Sequence, residues 1–345
     1  MFKKVRNLLN IPLSIYHYKR KSLTLPYLPN TLWIEPTNAC NLKCIMCPNS
    51  VRKQEKYGFM DMKLYKQIID KAKDFVSYIT LCISGEPLLH SNLPEMIRYA
   101  KANGIRTYLS TNATLLTPVL SKRLLLNGLD WISFSFDGCT KETYERIRAG
   151  ADFDKTLDNL ITFLNLKKQF NAKIRAEIQV LVMNVRDSLN DIITFKNRFK
   201  DLPLDRIQFR QPSTWGKVFL NTKEFNPKKL DNKFSPCSYL WSSLCILWDG
   251  RIIACPSDFF GDNVLGRFPD KTLKEIWNDT PMRVFRSAMV NRNYLSFNPN
   301  CEGCDSLWEQ RICGLPAGLR GISAMTAVNV FGRWLTKLLW QLKPY

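Results

Sequence analysis

The sequence predicts an α/β protein: a mostly parallel sheet with helices between its strands, followed by a smaller α+β unit. Three observations carry this. From Thr31 to Pro212, β-rich apolar stretches alternate with helix-like ones. Six strands separated by helices argue for parallel pairing through right-handed crossovers. After Pro212 that rhythm stops, apolar runs shorten, and six cysteines fall within residues 213–316.

In chain order, residues 1–30 form a basic amphipathic segment. Its apolar stretch Leu8–Tyr16 is short and broken by Asn10 and Pro12, which argues against a cleaved signal peptide. Strands follow at Leu32–Glu35, Tyr78–Ile83, Ile105–Ser110, Trp131–Phe136, Ile174–Met183 and Arg206–Phe209. Helices are expected at Lys63–Phe75, Leu93–Ala102, Pro118–Asn127, Phe153–Phe170 and Leu189–Phe199. Periodicity leaves open whether this 31–212 region curls into an open barrel or spreads as a doubly wound sheet. In both, ligand groups gather at the carboxyl ends of the strands. In the 213–316 unit, Trp248-Asp249-Gly250-Arg251 reads as a hairpin turn between Leu244–Leu247 and Ile252–Ala254. Residues 317–345 read as a second basic amphipathic helix, with Phe331, Trp334, Leu335, Leu338, Leu339 and Leu342 on one face.

The 345 residues are 45% hydrophobic, which excludes wholesale disorder. No run of about 18 apolar residues is present to span a bilayer. The formal net charge is +20, and half of that excess lies in the two ends, which contain no acidic residue. Basic amphipathic ends suit a peripheral contact with anionic lipid at the inner face of the membrane. A helix packed on its own protein with a solvated basic face is the plainer alternative. No nucleic-acid motif accompanies the charge, so no nucleic-acid partner is expected. Without export, the eleven cysteines sit in a reducing cytoplasm. There they serve as buried thiols, catalytic thiols or metal ligands.

Cys40, Cys44 and Cys47 read C-x3-C-x2-C in the loop after the first strand. Thiolates favour iron–sulfur clusters and soft metals. Three donors are one short of a closed site, which leaves a metal position open to an outside ligand. A zinc site completed by a remote residue is the competing reading, with only His17 and His90 to supply imidazole.

This segment resembles the cluster motif of the radical S-adenosylmethionine (SAM) enzymes. Companions follow at successive strand ends: Ser84-Gly85-Glu86-Pro87, Thr111-Asn112-Ala113, Ser135-Phe136-Asp137-Gly138, and then Arg148. The first resembles the family's Gly-Gly-Glu-Pro segment, which receives the methionine amino group, with Ser84 in place of a glycine. Ser135, Asp137 and Arg148 stand where the family often places groups near the SAM ribose and carboxylate. Met46 replaces the usual aromatic residue near adenine. The resemblance implies a partial (β/α)6 TIM-like barrel. It also implies a [4Fe–4S] cluster on Cys40, Cys44 and Cys47 with one open iron that SAM chelates. Reductive cleavage would then give a 5′-deoxyadenosyl radical that takes hydrogen from a substrate. A flavodoxin or ferredoxin-type donor would supply the electron, and the work would be done anaerobically.

Cys237, Cys255 and the Cys301-x2-Cys304 pair offer four further thiolates, suited to a fully ligated cluster or to structural zinc. The unit resembles the SPASM/twitch extension of radical SAM enzymes, through Gly250-x4-Cys255 and Lys274-Glu275-Ile276-Trp277. The one-cluster twitch form fits better, as in the butirosin-pathway dehydrogenase, which implies an auxiliary [4Fe–4S] cluster. Cys245 and Cys313 are candidate extra ligands, and Cys82 and Cys139 are expected as buried thiols. Arg210, ending the sixth strand, is the candidate substrate contact. Glu177 and Gln179 on the fifth strand have even odds of facing the site. The resemblance implies an oxidation of a sugar, cyclitol or lipid-linked molecule. Peptide maturation is one alternative, and a non-catalytic iron–sulfur electron carrier or membrane adaptor is another.

Overall fold

The computed structural model describes residues 2–183, 187–215, 233–308, 311 and 315–316. The C-terminal helix expected at 317–345, and Cys313, lie outside the described residues.

Among the described residues nine strands form one sheet in the order β6-β5-β4-β3-β2-β1-β7-β8-β9. The first six are β1 (Thr31–Ile34), β2 (Tyr78–Thr80), β3 (Arg106–Thr111), β4 (Trp131–Ser135), β5 (Arg175–Leu181) and β6 (Arg206–Arg210), each parallel to the next. The connecting helices are α2 (Met62–Ala72), α3 (Leu93–Ala102), α4 (Pro118–Leu126), α5 (Lys141–Ile147), α6 (Phe153–Gln169) and α7 (Leu189–Asn197). All six expected strands and all five expected helices of this region are present, and α5 is an addition. The strand order follows the sequence order, as a run of like-handed crossovers requires. The sheet ends in two edges, β6 and β9, so it is an open, TIM-like arrangement and not a closed barrel.

β7 (Ser243–Ile246) comes from the second cysteine-rich stretch and pairs in parallel with β1. It turns back through Trp248–Gly250 into antiparallel β8 (Arg251–Ile253), the expected hairpin. The short β9 (Gly266–Arg267) follows, then α8 (Leu273–Asn278) and α9 (Thr280–Val290). The sheet is therefore continuous from β6 to β9, with β7 beside the first strand and β8 beyond it. Arg286, on α9, is fully buried. It donates to the carbonyls of Leu23, Leu240 and Trp277, tying the N-terminal segment to this unit.

Strand alternation sorts the side chains. Leu32, Ile34, Ile79, Leu109, Ile132, Phe134, Ile178 and Val180 are buried in the core shared with the helices. Their neighbours Trp33, Tyr108, Ser110, Trp131, Ser135 and Gln179 face the opposite way and are half-buried. The interior is thus polar and aromatic at positions where a closed barrel would hold aliphatic layers.

The N-terminal helix α1 (Phe2–Lys19) docks on its own protein through Asn10, Ser14 and Tyr18. Asn10 donates to Asn30 Oδ1 at 3.0 Å and the Tyr18 hydroxyl to the Pro236 carbonyl at 2.8 Å. Leu13 and Tyr16, on another face, are exposed. Among the described residues no helix is long and apolar enough to cross a membrane.

Candidate iron–sulfur and nucleotide site

The loop after β1 carries Cys40, Cys44 and Cys47. Its backbone is pinned by Lys43 N–H to Ala149 O at 3.0 Å and by Ile45 N–H to Ile147 O at 3.1 Å. Leu42, Cys44, Met46, Ile147 and Met183 form a small buried apolar patch under it, and Leu181 packs against that patch. Met46 thus lies inside the patch beside Cys44. Burial pushes the Cys40 thiol up to about 11 and the Cys47 thiol to about 12. Each of these thiolates would raise the others, so the three sulfurs share one locality. As thiolates, once their protons were displaced, they could serve as metal ligands.

The strand-end motifs close around this loop. Gly85 packs so tightly that a Cβ would lie 2.3 Å from Thr37 O and 2.5 Å from Ala39 O. Those are backbone atoms of the cysteine loop's entry, and Glu86 N–H adds a 2.8 Å hydrogen bond to Ala39 O. Gly85→Ala is therefore expected to cost about 1–3 kcal/mol through overpacking, read as a lowered melting temperature. A melting curve that overlays the wild type would show that the loops can part freely. The Glu86 carboxylate accepts from Leu88 N–H, the Thr111 hydroxyl and Asn112 N–H at 2.7–3.0 Å. Burial raises its pKa against those donors. With these protein partners Glu86 braces the loops after β2 and β3. Pro87 opens the short 3-10 turn that follows. Asn112 donates to Asn41 Oδ1 at 3.0 Å, fastening the β3 loop to the cysteine loop.

Asp137, fully buried after β4, accepts two hydrogen bonds from Arg148 at 2.9 and 2.5 Å and one from Leu181 N–H at 2.6 Å. Arg148 also points Nη1 at Cys44 Sγ, 3.7 Å away. Asp137 and Arg148 thus form a buried ion pair beside Cys44. Ser135 ends β4 opposite Gln179, on the inner face.

Two connecting groups were not foreseen. Glu35 is buried just beyond β1. It accepts from Ser84 N–H at 3.3 Å, from the Ser84 hydroxyl at short range, and from Trp248 N–H at 3.2 Å. The serine that replaces the family's glycine thus ties the Gly85-Glu86 loop to the β7–β8 hairpin. Asp258, also buried, accepts from Asp262 N–H, Asn263 N–H and Asn300 Nδ2, joining the turn after Cys255 to the turn before Cys301. A buried acceptor facing several donors is a three-dimensional property. The only sequence signal was an acidic residue at a strand end or a turn.

The second cysteine group gathers at the end of β8. Cys237, Cys301 and Cys304 are buried and Cys255 is half-buried. Burial raises the Cys237 thiol, and the charges of Cys255, Cys304 and Cys301 raise it further. Cys245, on β7, packs with Trp33, Ile83, Leu247 and Ile253; burial raises its thiol, and the charges of Cys255 and Cys237 add to that. Cys82 is half-buried and Cys139 is buried, and neither joins a cysteine group. All ten described cysteines are free thiols. Among the described residues no three His, Cys, Asp or Glu side chains close on a single metal ion. The donor sets, three thiols and four thiols, suit clusters whose separate irons each take one thiolate.

The radical SAM superfamily model matches residues 34–170, and the SPASM iron–sulfur cluster-binding domain model matches residues 237–305. The chain thus carries a radical SAM domain followed by a SPASM domain. Its radical SAM region is similar to the Fe-coproporphyrin III synthase of Methanosarcina barkeri, 30% identical over 159 residues, 46% of this chain and 39% of that protein. The chain spans about two fifths of the length of the first curated relatives it matches. Among solved structures, Streptococcus suis SuiB bound to precursor peptide SuiA has a TM-score of 0.63 at 16% identity, over 79% of this chain and 70% of that one. BtrN in complex with AdoMet and 2-DOIA has a TM-score of 0.55 at 20% identity, over 81% and 93%. At these identities the likeness is one of fold: a radical SAM barrel with a SPASM-like C-terminal part.

Proposed function

We propose that this radical SAM protein cleaves SAM reductively and abstracts hydrogen from a substrate held inside the open barrel. The observation that carries the reading is convergence. The three-cysteine loop, the Ser84–Pro87 segment, Asn112 and the Asp137–Arg148 pair meet at the carboxyl end of one parallel sheet. Cys40, Cys44 and Cys47 would hold a [4Fe–4S] cluster, which would supply one-electron reductive cleavage of SAM. The chain's own residues hold that site rigid. Gly85 lets two loops meet backbone to backbone, Glu86 locks two strand ends, and Arg148 sets a positive charge on Cys44. The polar interior, with Arg210 at its rim, would contact the substrate. Cys237, Cys255, Cys301 and Cys304 would hold an auxiliary cluster that takes the second electron of an oxidation, so the reaction class is oxidoreductase.

The substrate we favour is a sugar, cyclitol or lipid-linked molecule, with a flavodoxin or ferredoxin-type electron donor. The exposed Leu13 and Tyr16, beside Lys19 and Arg20, support a peripheral membrane contact. Peptide modification is the second reading, favoured by the fold shared with SuiB, which was solved on a precursor peptide. A neighbouring short reading frame encoding a precursor would favour it.

The test is direct. Anaerobically reconstituted protein given SAM and dithionite is expected to release 5′-deoxyadenosine even without substrate. Fully loaded protein that releases none would leave an electron carrier or adaptor as the better description.

A further inference from the structure

We propose that the substrate carries an anionic group, a carboxylate or phosphate, which Arg210 receives inside the barrel with Gln208 and Gln179 beside it. This rests on the radical SAM reading of the site and names the substrate class for it.

The argument begins with strand alternation on β6. Ile207 and Phe209 pack against the main core, and Lys196 lies over the Phe209 ring at 5.1 Å. Arg206, Gln208 and Arg210 therefore project to the interior. The electrostatics agree, because the Arg210 charge acts on the Tyr108 hydroxyl across the inner face. On β5 the inward set is Arg175, Glu177, Gln179 and Leu181, in register with β6.

The inner faces of β1 to β4 offer no carboxylate. Their side chains are Trp33, Tyr78, Thr80, Tyr108, Trp131 and serines, with Arg106 at the far, amino end. The one inward acid among these strands is Glu177, and it is engaged. It lies 3.5 Å from Arg175, whose guanidinium also covers the Trp131 ring at 4.4 Å. The acids at the strand ends, Glu35, Glu86 and Asp137, are each held by protein donors. Among the described residues Arg210 makes no ion pair: it donates to the neutral amide of Gln208 at 3.0 Å and is exposed. A guanidinium with its remaining donors available, flanked by two amides, is matched to a planar or tetrahedral oxyanion.

Position connects this to the chemistry. Arg210 is the register partner of Leu181, and its carbonyl accepts from Val182 N–H at 2.7 Å. Leu181 packs against the apolar patch beneath Cys44 and Met46. Arg210 therefore stands level with the cysteine loop.

The test uses anaerobic holoprotein with SAM, titrated calorimetrically with pyrophosphate, with tricarballylate, and with neutral myo-inositol. Saturable binding is expected for at least one anion, at millimolar Kd or tighter, and none for inositol. Pyrophosphate alone would point to a phosphate, tricarballylate alone to a carboxylate. Arg210→Gln should weaken that binding about tenfold or more, from the loss of a charged hydrogen-bond donor, with an unchanged melting temperature. Arg210→Lys should recover part of it. Neither anion binding, or equal binding by Arg210→Gln, overturns the proposal. The wild-type EPR change on adding SAM reports the radical SAM reading separately. With that change present and no anion binding, the anionic class fails alone. With Arg210-dependent binding and no such change, the anion site stands and the radical SAM reading fails.

Discussion

Replacing Cys40, Cys44 and Cys47 together by alanine is expected to lower the iron of anaerobically reconstituted protein from about eight to about four per chain, at four irons per cluster. Release of 5′-deoxyadenosine from SAM should stop. The variant should still fold, because the loop backbone is held by bonds that do not involve the sulfurs: Lys43 to Ala149, Ile45 to Ile147, and Glu86 to Ala39. Truncating one small buried side chain, Cys44, and two half-buried ones removes little apolar area. The remaining four irons should stay because Cys237, Cys255, Cys301 and Cys304 belong to a different part of the sheet, beyond β7 and β8. Iron and sulfide quantitation checks the result. Unchanged iron would mean that the first loop holds no cluster. Zinc in place of iron at either site would overturn the cluster chemistry there.

The sequence carried much of this in forms that local physics makes readable. The six parallel strands show because apolar residues that pack against the helices recur at every second position. The cysteine spacings show because a loop must present several sulfurs to one cluster. What stayed hidden depends on partners distant in sequence. The short α5 buries only Thr143, Tyr144 and Ile147, too brief a stripe to stand out. The pairing of β7 with β1 joins residues more than two hundred positions apart, and nothing local to Ser243–Ile246 announces it. Glu35 is the sharpest case. In sequence it is an acid at the end of a strand. In the fold it is a buried acceptor for Ser84 and Trp248, linking the two cysteine-bearing regions. Arg148 was identified by position, but its partners Asp137 and Cys44 follow only from the packing of α5 against the cysteine loop.

That ion pair gives the largest stability effect expected from a single substitution. Asp137 is fully buried and Arg148 nearly so, with 2.5 Å between their nearest charged atoms. Removing one member of a buried pair strands the other charge in a low-dielectric setting, at about 3–5 kcal/mol. Asp137→Ala also takes the acceptor from the part-buried Leu181 N–H. For a chain of this length, an unfolding entropy of about 2.1 cal/mol/K per residue converts that loss to a fall of about 4–7 °C in Tm. Asp137→Asn should fare little better. One oxygen of the carboxylate serves Leu181 and the other serves Arg148, so an amide must turn its NH2 towards one of these donors. Arg148→Met combined with Asp137→Asn should recover part of the loss, since the amide oxygen can then serve Leu181 while methionine fills the guanidinium's place. Calorimetric melting of the anaerobic holoprotein decides the matter. A fall below about 1 °C in Asp137→Ala, or a double variant no better than the single, would show that water reaches this pair and that it does not hold the cysteine loop.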